Sequence, residues 1–196
     1  MKYGAFWFMN RTLGKDLRMF QDNLIHIQQE INRSKEDFIQ EHFKQYEEPI
    51  CPPVWKTLEV VSFGTLSKLY CNFSDNSVKK HIAAELKLPQ HIYLESWIKC
   101  SLVLRNCIAH HTRIWNKKFP LKPQLPKNLD GNWIDKTKTD PAKLYAQLCC
   151  LSYLQNSIHP QNNFKNQLKK LLTQHPNVDV TAMGFPKDWT NEPLWK

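Results

Sequence analysis

Between residues 94 and 116, an otherwise apolar stretch carries a dense set of side chains that can handle protons and anions. Arg105, Asn106 and His110 are its central members, and His111 follows directly. An imidazole has an unperturbed pKa of about 6.5, so it can accept and donate protons near neutrality. A guanidinium stays cationic and can hold a phosphate through two donors while charge accumulates on the phosphate oxygens. The pairing predicts proton transfer at a phosphate-bearing substrate.

The same stretch, 94–116, contains neither Gly nor Pro, and its apolar residues recur at helical spacing, so it predicts one long helix. At about 100° of rotation per residue, one side of this helix gathers the large apolar residues and is expected to pack in the core. His111 falls on that side, which favours a structural histidine over a ligand. The predicted core face consists of Trp97, Cys100, Leu104, Cys107, Ile108, His111 and Trp115.

The opposite side of the predicted helix combines a small apolar patch with polar edges. Arg105 and His110 bracket the patch, and Asn106 lies in the gap between them. The arrangement is too polar for an ordinary core stripe and too apolar for a solvated face, so it predicts a contact surface with chemistry at its edge. The patch residues are Ile98, Leu102 and Ala109.

Length and charge suggest a single domain over 1–196 that binds a polyanion. The chain of 196 residues is long enough to bury a proper core, and its net charge of +9 favours a polyanionic partner. Residues 1–50 hold seven Lys/Arg against eight Asp/Glu, whereas residues 99–143 hold ten against three. The positive excess therefore gathers around the central helix, as expected if a phosphate backbone is drawn to it.

The six cysteines show neither a CxxC pair nor the regular spacing of a disulfide framework. We therefore expect six thiols in a reducing cytosol. A zinc site built from His110, His111 and cysteines is allowed by composition, but no ligand spacing supports it, so we expect no metal and no other cofactor. The apolar run 5–9 is too short for a membrane span or a signal-peptide core, which predicts a soluble, cytoplasmic protein without a membrane partner.

The rest of the chain predicts an all-α bundle. Residues 119–139 are rich in Pro and Lys and are expected to form a long loop, and residues 176–196 are expected to form a tail that packs on the bundle through Phe185, Trp189 and Trp195. Apolar periodicity and capping residues predict the other helices at 14–32, 34–46, 56–71, 77–86, 140–158 and 161–174. The fifth of these is expected to start at Asp140-Pro141, with Pro at its first turn, and its residues 144–158 are strongly apolar.

The run 104–116, LRNCIAHHTRIWN, resembles the signature of the Abi-like abortive-infection proteins of the AbiD/AbiF type, a branch of the HEPN superfamily. The defining motif of that superfamily is an Arg, a polar residue and, a few residues later, a His. Three further segments strengthen the resemblance: 53–70, PVWKTLEVVSFGTLSKLY; 183–189, MGFPKDW; and 193–195, PLW. In the family, helices precede a segment similar to KYGAFWF, and the chain is expected to lack them.

The resemblance implies a HEPN-like helical bundle and a metal-independent endoribonuclease that acts as a homodimer. It also implies a phage-defence or toxin role restrained by an inhibitory RNA or a protein antitoxin. In such an enzyme the RNA supplies its own 2′-OH nucleophile. His110 would transfer protons, Arg105 would stabilise the transition-state charge, and Asn106 would position either partner or the scissile phosphate. The expected products are a 2′,3′-cyclic phosphate and a 5′-OH.

Each candidate residue also has a structural interpretation. Arg105 can form a structural ion pair. His111 can be a core histidine instead of a substrate ligand. Arg113 and Asn116 can bind phosphate or cap the helix end. Lys117 and Lys118 can be a solvated basic face that also attracts RNA.

Two other functions compete with the ribonuclease. The chain can be a non-catalytic HEPN module that binds RNA or a protein, an interpretation that the missing N-terminal helices favour and the motif opposes. A metal-dependent nuclease is the third candidate, and the sequence lacks a paired-carboxylate site for it.

Overall fold

The computed structural model describes residues 3–129 and 133–196. Within these residues it contains eight α-helices and no β-strand, which confirms the predicted all-α class. None of the described helices combines the length and the apolar character that a membrane span requires. The HEPN-like arrangement of the helices stays a prediction.

The helix bounds agree with the sequence patterns to within about four residues, apart from two larger differences. The predicted helix 56–71 is broken into two helices at Ser62, whose hydroxyl oxygen accepts a hydrogen bond from the Thr65 N–H. The Ser62 N–H donates to a carboxylate oxygen of Glu30, so this residue caps a new helix instead of continuing the old one. The second difference, at the end of α6, is described with the site. The helices are α1 Leu17–Arg33, α2 Asp37–Gln45, α3 Val54–Val60, α4 Phe63–Asn72, α5 Asn76–Glu85, α6 His91–Ala109, α7 Leu144–Ile158 and α8 Phe164–Gln174.

The chain divides into two compact units, Met1–Asn76 and Ser77–Lys196. The expectation of one domain over 1–196 stays a prediction. From the sequence, the first unit holds nine Lys/Arg against ten Asp/Glu, and the second holds eighteen against eight. The whole positive excess of the protein therefore belongs to the second unit.

The first unit is built around α1, which packs against α3 and α4. Asn72 ties the start of α1 to the end of α4, because its side chain accepts from the Asp16 N–H and donates to the Asp16 carbonyl. The buried core of this unit consists of Phe8, Ile27, Ile31, Ile39, Cys51, Val54 and Leu69.

The second unit is built around α6 and α7, and Trp97 of α6 is its fully buried centre. The Trp97 ring stacks on Trp133 at 5.6 Å between centroids and meets the edge of Tyr153 at 5.8 Å. Its indole N–H donates to the carbonyl of Gln124. These contacts hold the loop predicted at 119–139, of which residues 130–132 lie outside the described residues; the described part contains one short 3-10 turn.

A buried ion pair joins α5 to α6 within this unit. The Lys79 ammonium is fully buried and lies 2.7 Å from a carboxylate oxygen of Glu95. Because removing either partner of a buried pair leaves a charge in a low-dielectric interior, such a pair fixes one helix against the other. It thereby anchors the N-terminal half of α6, whose other end carries the motif.

The C-terminal segment of the same unit lies against α7. Tyr145 is buried under Phe185, with ring centroids 4.8 Å apart, and its hydroxyl accepts a hydrogen bond from the Trp195 indole N–H at 3.1 Å. Burial raises the pKa of Tyr145, so the hydroxyl stays protonated. Trp189 packs edge-on against both Phe185 and Trp195 and completes an aromatic cluster.

Gly184 gives a direct test of this packing. It has a φ of +89°, and a Cβ added there would lie 2.5 Å from the Cβ of Lys143. We expect Gly184→Ala to lower the free energy of unfolding by roughly 2–4 kcal/mol, because it adds a steric clash to the left-handed strain. Urea titration followed by circular dichroism measures this. Gly4→Ala is the matched control, since Gly4 has a φ of +75° with open space around it and should lose only about 1 kcal/mol. Equal losses for both variants would contradict the clash.

Candidate functional site

Helix α6 ends at Ala109, so the predicted continuation of the helix to residue 116 is wrong. The reason is the backbone of His111, which has a left-handed φ of +51°. Its N–H donates to the carbonyl of Ile108 at 3.0 Å, and the Thr112 N–H donates to the carbonyl of Cys107 at 2.9 Å. These two bonds form a Schellman motif, which satisfies the last carbonyls of the helix and turns the chain away from its axis.

A histidine at the left-handed position of this turn is unusual. Glycine normally occupies it, because a side chain there costs about 1–2 kcal/mol, although histidine is among the residues that tolerate it best. The Thr112 hydroxyl strengthens the turn by donating a second bond to the Cys107 carbonyl at 3.0 Å. Sequence reasoning missed the helix end because the usual signal, a Gly or Asn, is absent.

The early helix end corrects several assignments on the predicted core face. His111 is exposed and does not face the core, Trp115 is 41 % exposed, and Ile108 is 56 % exposed. Residues 110–116 lie beyond the helix, so their wheel positions do not apply, and Ile108 lies in the last turn at the rim of the buried face. The residues of that face that are buried are Trp97, Cys100 and Leu104.

The three proposed catalytic residues lie together at this helix end. Arg105 and His110 are exposed, and Asn106 is half-buried. A guanidinium N–H of Arg105 donates to the side-chain oxygen of Asn106 at 3.1 Å. The N–H of His110 donates to the Asn106 carbonyl at 3.0 Å, so the imidazole is carried by the last hydrogen-bonded residue of the helix. The side chains of Arg105 and His110 are therefore accessible to a ligand.

Arg105 is available for an anion. No Asp or Glu among the described residues forms an ion pair with it, so the structural ion pair considered from the sequence is not seen within 3–129 and 133–196. The sequence from 96 to 129 contains seven Lys/Arg and no Asp or Glu. This stretch of the chain therefore carries only positive formal charge, which favours a polyanion.

The predicted substrate-binding residues after the turn divide into two groups. Arg113 and Lys118 are exposed and Lys117 is half-buried, so their side chains extend the basic surface. Asn116 has a φ of +50°, and its side-chain oxygen accepts from the Lys143 ammonium at 2.8 Å.

Lys143 makes a second hydrogen bond, which links Asn116 to the C-terminal segment. Its ammonium also donates to the Ala182 carbonyl at 3.0 Å, and the Trp115 indole N–H donates to the Asp179 carbonyl at 3.2 Å. The second half of the LRNCIAHHTRIWN run is thus tied to residues 179–182. These tertiary bonds could not be seen from the sequence, because the partners lie far along the chain.

The small patch on the outer side of α6 is partly accessible. Ile98 and Leu102 are half-buried, whereas Ala109 is exposed. Their positions between 98 and 109 lie within the observed helix, so the predicted surface next to Arg105 exists as a helical face.

The cysteines contribute to packing rather than to a site. All six are thiols, and burial raises the pKa of Cys100 and Cys150. A raised pKa keeps a thiol protonated and poorly nucleophilic. No group of three or more His, Cys, Asp or Glu with metal-binding geometry lies within the described ranges.

The turn at residues 110–112, which we call the histidine turn, can be tested by measurements of stability. We expect His111→Gly to leave the free energy of unfolding unchanged or to raise it by up to about 1 kcal/mol, because glycine relieves the left-handed strain. His111→Val should lower it by roughly 2 kcal/mol, because a β-branched residue resists positive φ. Urea midpoints measure both changes. A large loss in the glycine variant would instead indicate a packed core histidine.

Comparison with known proteins relates the site to a family. The family model described as Abi-like protein matches residues 1–116. The match ends at Asn116, so it contains the first unit, helices α5 and α6, and the whole histidine turn. No curated protein and no solved structure matched the chain. Since the family model covers more than half of the sequence, the chain belongs to the Abi-like protein family.

Proposed function

We propose that this protein is a metal-independent endoribonuclease of the HEPN type that acts in abortive infection or as a toxin. Membership of the Abi-like family supports the defence role. The observation that carries the enzymatic part is the exposure of Arg105 and His110 at one helix end, where Asn106 accepts a hydrogen bond from the guanidinium. The AbiD/AbiF subtype belongs to the same proposal.

The chemistry needs only the RNA and these side chains. A neutral His110 imidazole takes the proton of the RNA 2′-OH, and the 2′-oxygen attacks the adjacent phosphorus. Arg105 binds the phosphate oxygens as negative charge builds up on them. The bond from phosphorus to the 5′-oxygen breaks, and a protonated imidazole supplies the proton that the leaving 5′-oxygen takes up. The products are a 2′,3′-cyclic phosphate and a 5′-OH.

One copy of the motif supplies one imidazole, whereas the reaction uses both a base and an acid. A two-fold axis through the patch of Leu102 and Ala109 would bring two α6 helices together and pair their motifs in one cleft. The exposure of Ala109 and the partial exposure of Leu102 support this homodimer. In this arrangement each protomer contributes one proton-transfer group to each cleavage.

The basic surface is proposed to bind the substrate backbone. Arg113, Lys117 and Lys118 lie directly after the turn and extend the positive field of Arg105. We assign His111 and Asn116 secondary roles in the same surface, because the backbone of the first and the amide of the second are already used to shape it. An inhibitory RNA or a protein antitoxin is the proposed restraint on the cytoplasmic enzyme.

Cleavage assays with Arg105→Ala and His110→Ala test the proposal. In EDTA we expect wild type to cleave single-stranded RNA and each variant to lose about 10²–10⁴-fold in rate, because each removes one contribution to the transition state. The product ends, resolved by mass spectrometry, should be 2′,3′-cyclic phosphate and 5′-OH. His159→Ala and Arg18→Ala remove equally exposed side chains of the same types outside the motif and should keep the wild-type rate.

The same experiment separates the alternatives. RNA binding without cleavage in wild type and in both motif variants would identify a non-catalytic module. Cleavage that EDTA abolishes would identify a metal-dependent nuclease.

The dimer has its own test. Ala109→Arg places a cation on the two-fold axis, where it would face its own symmetry mate, so we expect a folded monomer that has lost cleavage. Sedimentation velocity reports the oligomeric state, circular dichroism reports the fold, and the RNA assay reports activity. A monomer with full activity would end the dimer model while leaving the single-motif chemistry in place.

A further inference from the structure

An open apolar groove lies on the second unit beside the motif. It has a volume of about 470 Å³ and is lined by residues of α6, α7 and α8 and of the segments that follow α6 and α8. Leu104 and Ile108 form its wall on α6, and Leu168 and Leu171 form the opposite wall on α8. Apart from His175 and the Trp115 indole N–H, which already donates to Asp179, the lining side chains are hydrocarbon or thioether.

Helix α8 shows that the groove is unfilled. Its apolar residues recur on one side, yet none of its residues is buried, and Leu171 is 53 % exposed. On the opposite wall Ile108 is 56 % exposed, and between the walls Trp115 is 41 % exposed. An amphipathic helix normally buries its apolar face, so this face is built to be covered by something else.

We call the charged residues of the segments that line the groove its rim, and these residues have one sign of charge. The two segments that supply nearly all of its lining, 96–129 and 141–178, contain eleven Lys/Arg and no Asp or Glu. On α8, Lys165 and Lys169 follow the apolar side at helical spacing. Asp179, directly after this region, accepts hydrogen bonds from the N–H and hydroxyl of Thr181. An occupant must therefore be apolar where it meets the floor and acidic where it meets the rim.

We propose that the groove binds an acidic amphipathic α-helix of a partner protein. A helix satisfies its own backbone hydrogen bonds, which a lining without polar groups cannot do for an extended peptide. A nucleobase would leave its polar edges unpaired against leucine, and a second copy docking through this face would bring two cationic rims together. Because Ile108 lies between Arg105 and His110 in the sequence, the bound helix would lie next to the motif.

The test measures binding of a designed probe to the whole chain. The probe is a synthetic helix of about four turns with leucines along one face and glutamates beside them, and its matched counterpart carries lysines in place of the glutamates. Fluorescence anisotropy should show that the acidic peptide binds at least about tenfold more tightly than the basic one. Added salt should reduce this difference in affinity, because it screens the charges.

A pair of variants locates the binding. Leu171→Glu should weaken binding of the acidic peptide by about tenfold or more, because the substitution removes an apolar contact and adds charge repulsion. Ile158→Glu is the matched control: it adds the same charge at an isoleucine of α7 that is 70 % exposed and does not line the groove, so affinity should stay near wild type. Both positions are exposed enough for the variants to fold, which circular dichroism checks.

Several results would overturn the proposal. Equal affinity for the two peptides, absence of binding, or equal effects of the two variants would show that no acidic helix seats there. If Leu171→Glu weakens binding of a short single-stranded RNA and leaves binding of the peptide unchanged, the groove binds RNA. If it dissociates an oligomer that Ile158→Glu leaves intact in sedimentation, the groove faces a second copy. Each readout is binding or assembly, so the result does not depend on ribonuclease activity.

Discussion

Two hydrogen bonds at the end of α6, from His111 to Ile108 and from Thr112 to Cys107, determine where the part of the candidate site that follows the helix lies. They stop the helix at Ala109, so His110 is its last hydrogen-bonded residue and projects into solvent. Had the helix continued, the following histidine would have turned towards the core. The turn also sends the chain towards the tail, where Trp115 and Asn116 make their bonds.

The strain in this turn has a physical rationale. A left-handed histidine costs free energy that a glycine would not, and such strain persists only where the surroundings hold it in place. Here the Thr112 hydroxyl bond and the Lys143 bond to Asn116 restrain the chain that follows the residue. In return, position 111 carries an imidazole side chain, which a glycine at this position would not provide. His110 at the helix end and His111 in the turn are then both exposed, as is Arg105.

The sequence predicted the parts of the molecule that follow from local pattern. The apolar run 144–158 predicted helix α7, although the helix begins at Leu144 and not at the expected Asp140-Pro141. The helical wheel correctly buried Trp97 and Leu104, because their burial depends on the 3.6-residue repeat. It failed where distant partners decide the conformation. The Glu30 carboxylate that helps break the helix at Ser62 lies 32 residues away, and no local signal reveals it.

The candidate site shows the same division. The exposure of Arg105 follows from its helical position outside the core face, which the sequence pattern gives. The exposure of Trp115 does not, because it results from a helix end without glycine and from a bond to a carbonyl 64 residues away. An aromatic residue in a motif was therefore assigned to the core when it lines an open groove.

Helix α6 carries two surfaces that differ by a single step along the chain. Leu104 and Ile108 line the apolar groove, while Arg105 is exposed to the surrounding cations and solvent. Residues one apart point about 100° from each other on a helix, so a molecule seated in the groove leaves Arg105 uncovered but lies against the same helical turn. The turn at His111 closes on the carbonyls of Cys107 and Ile108. Ile108 therefore belongs to two features at once, because its side chain lines the groove and its carbonyl accepts one of the two hydrogen bonds that form the turn.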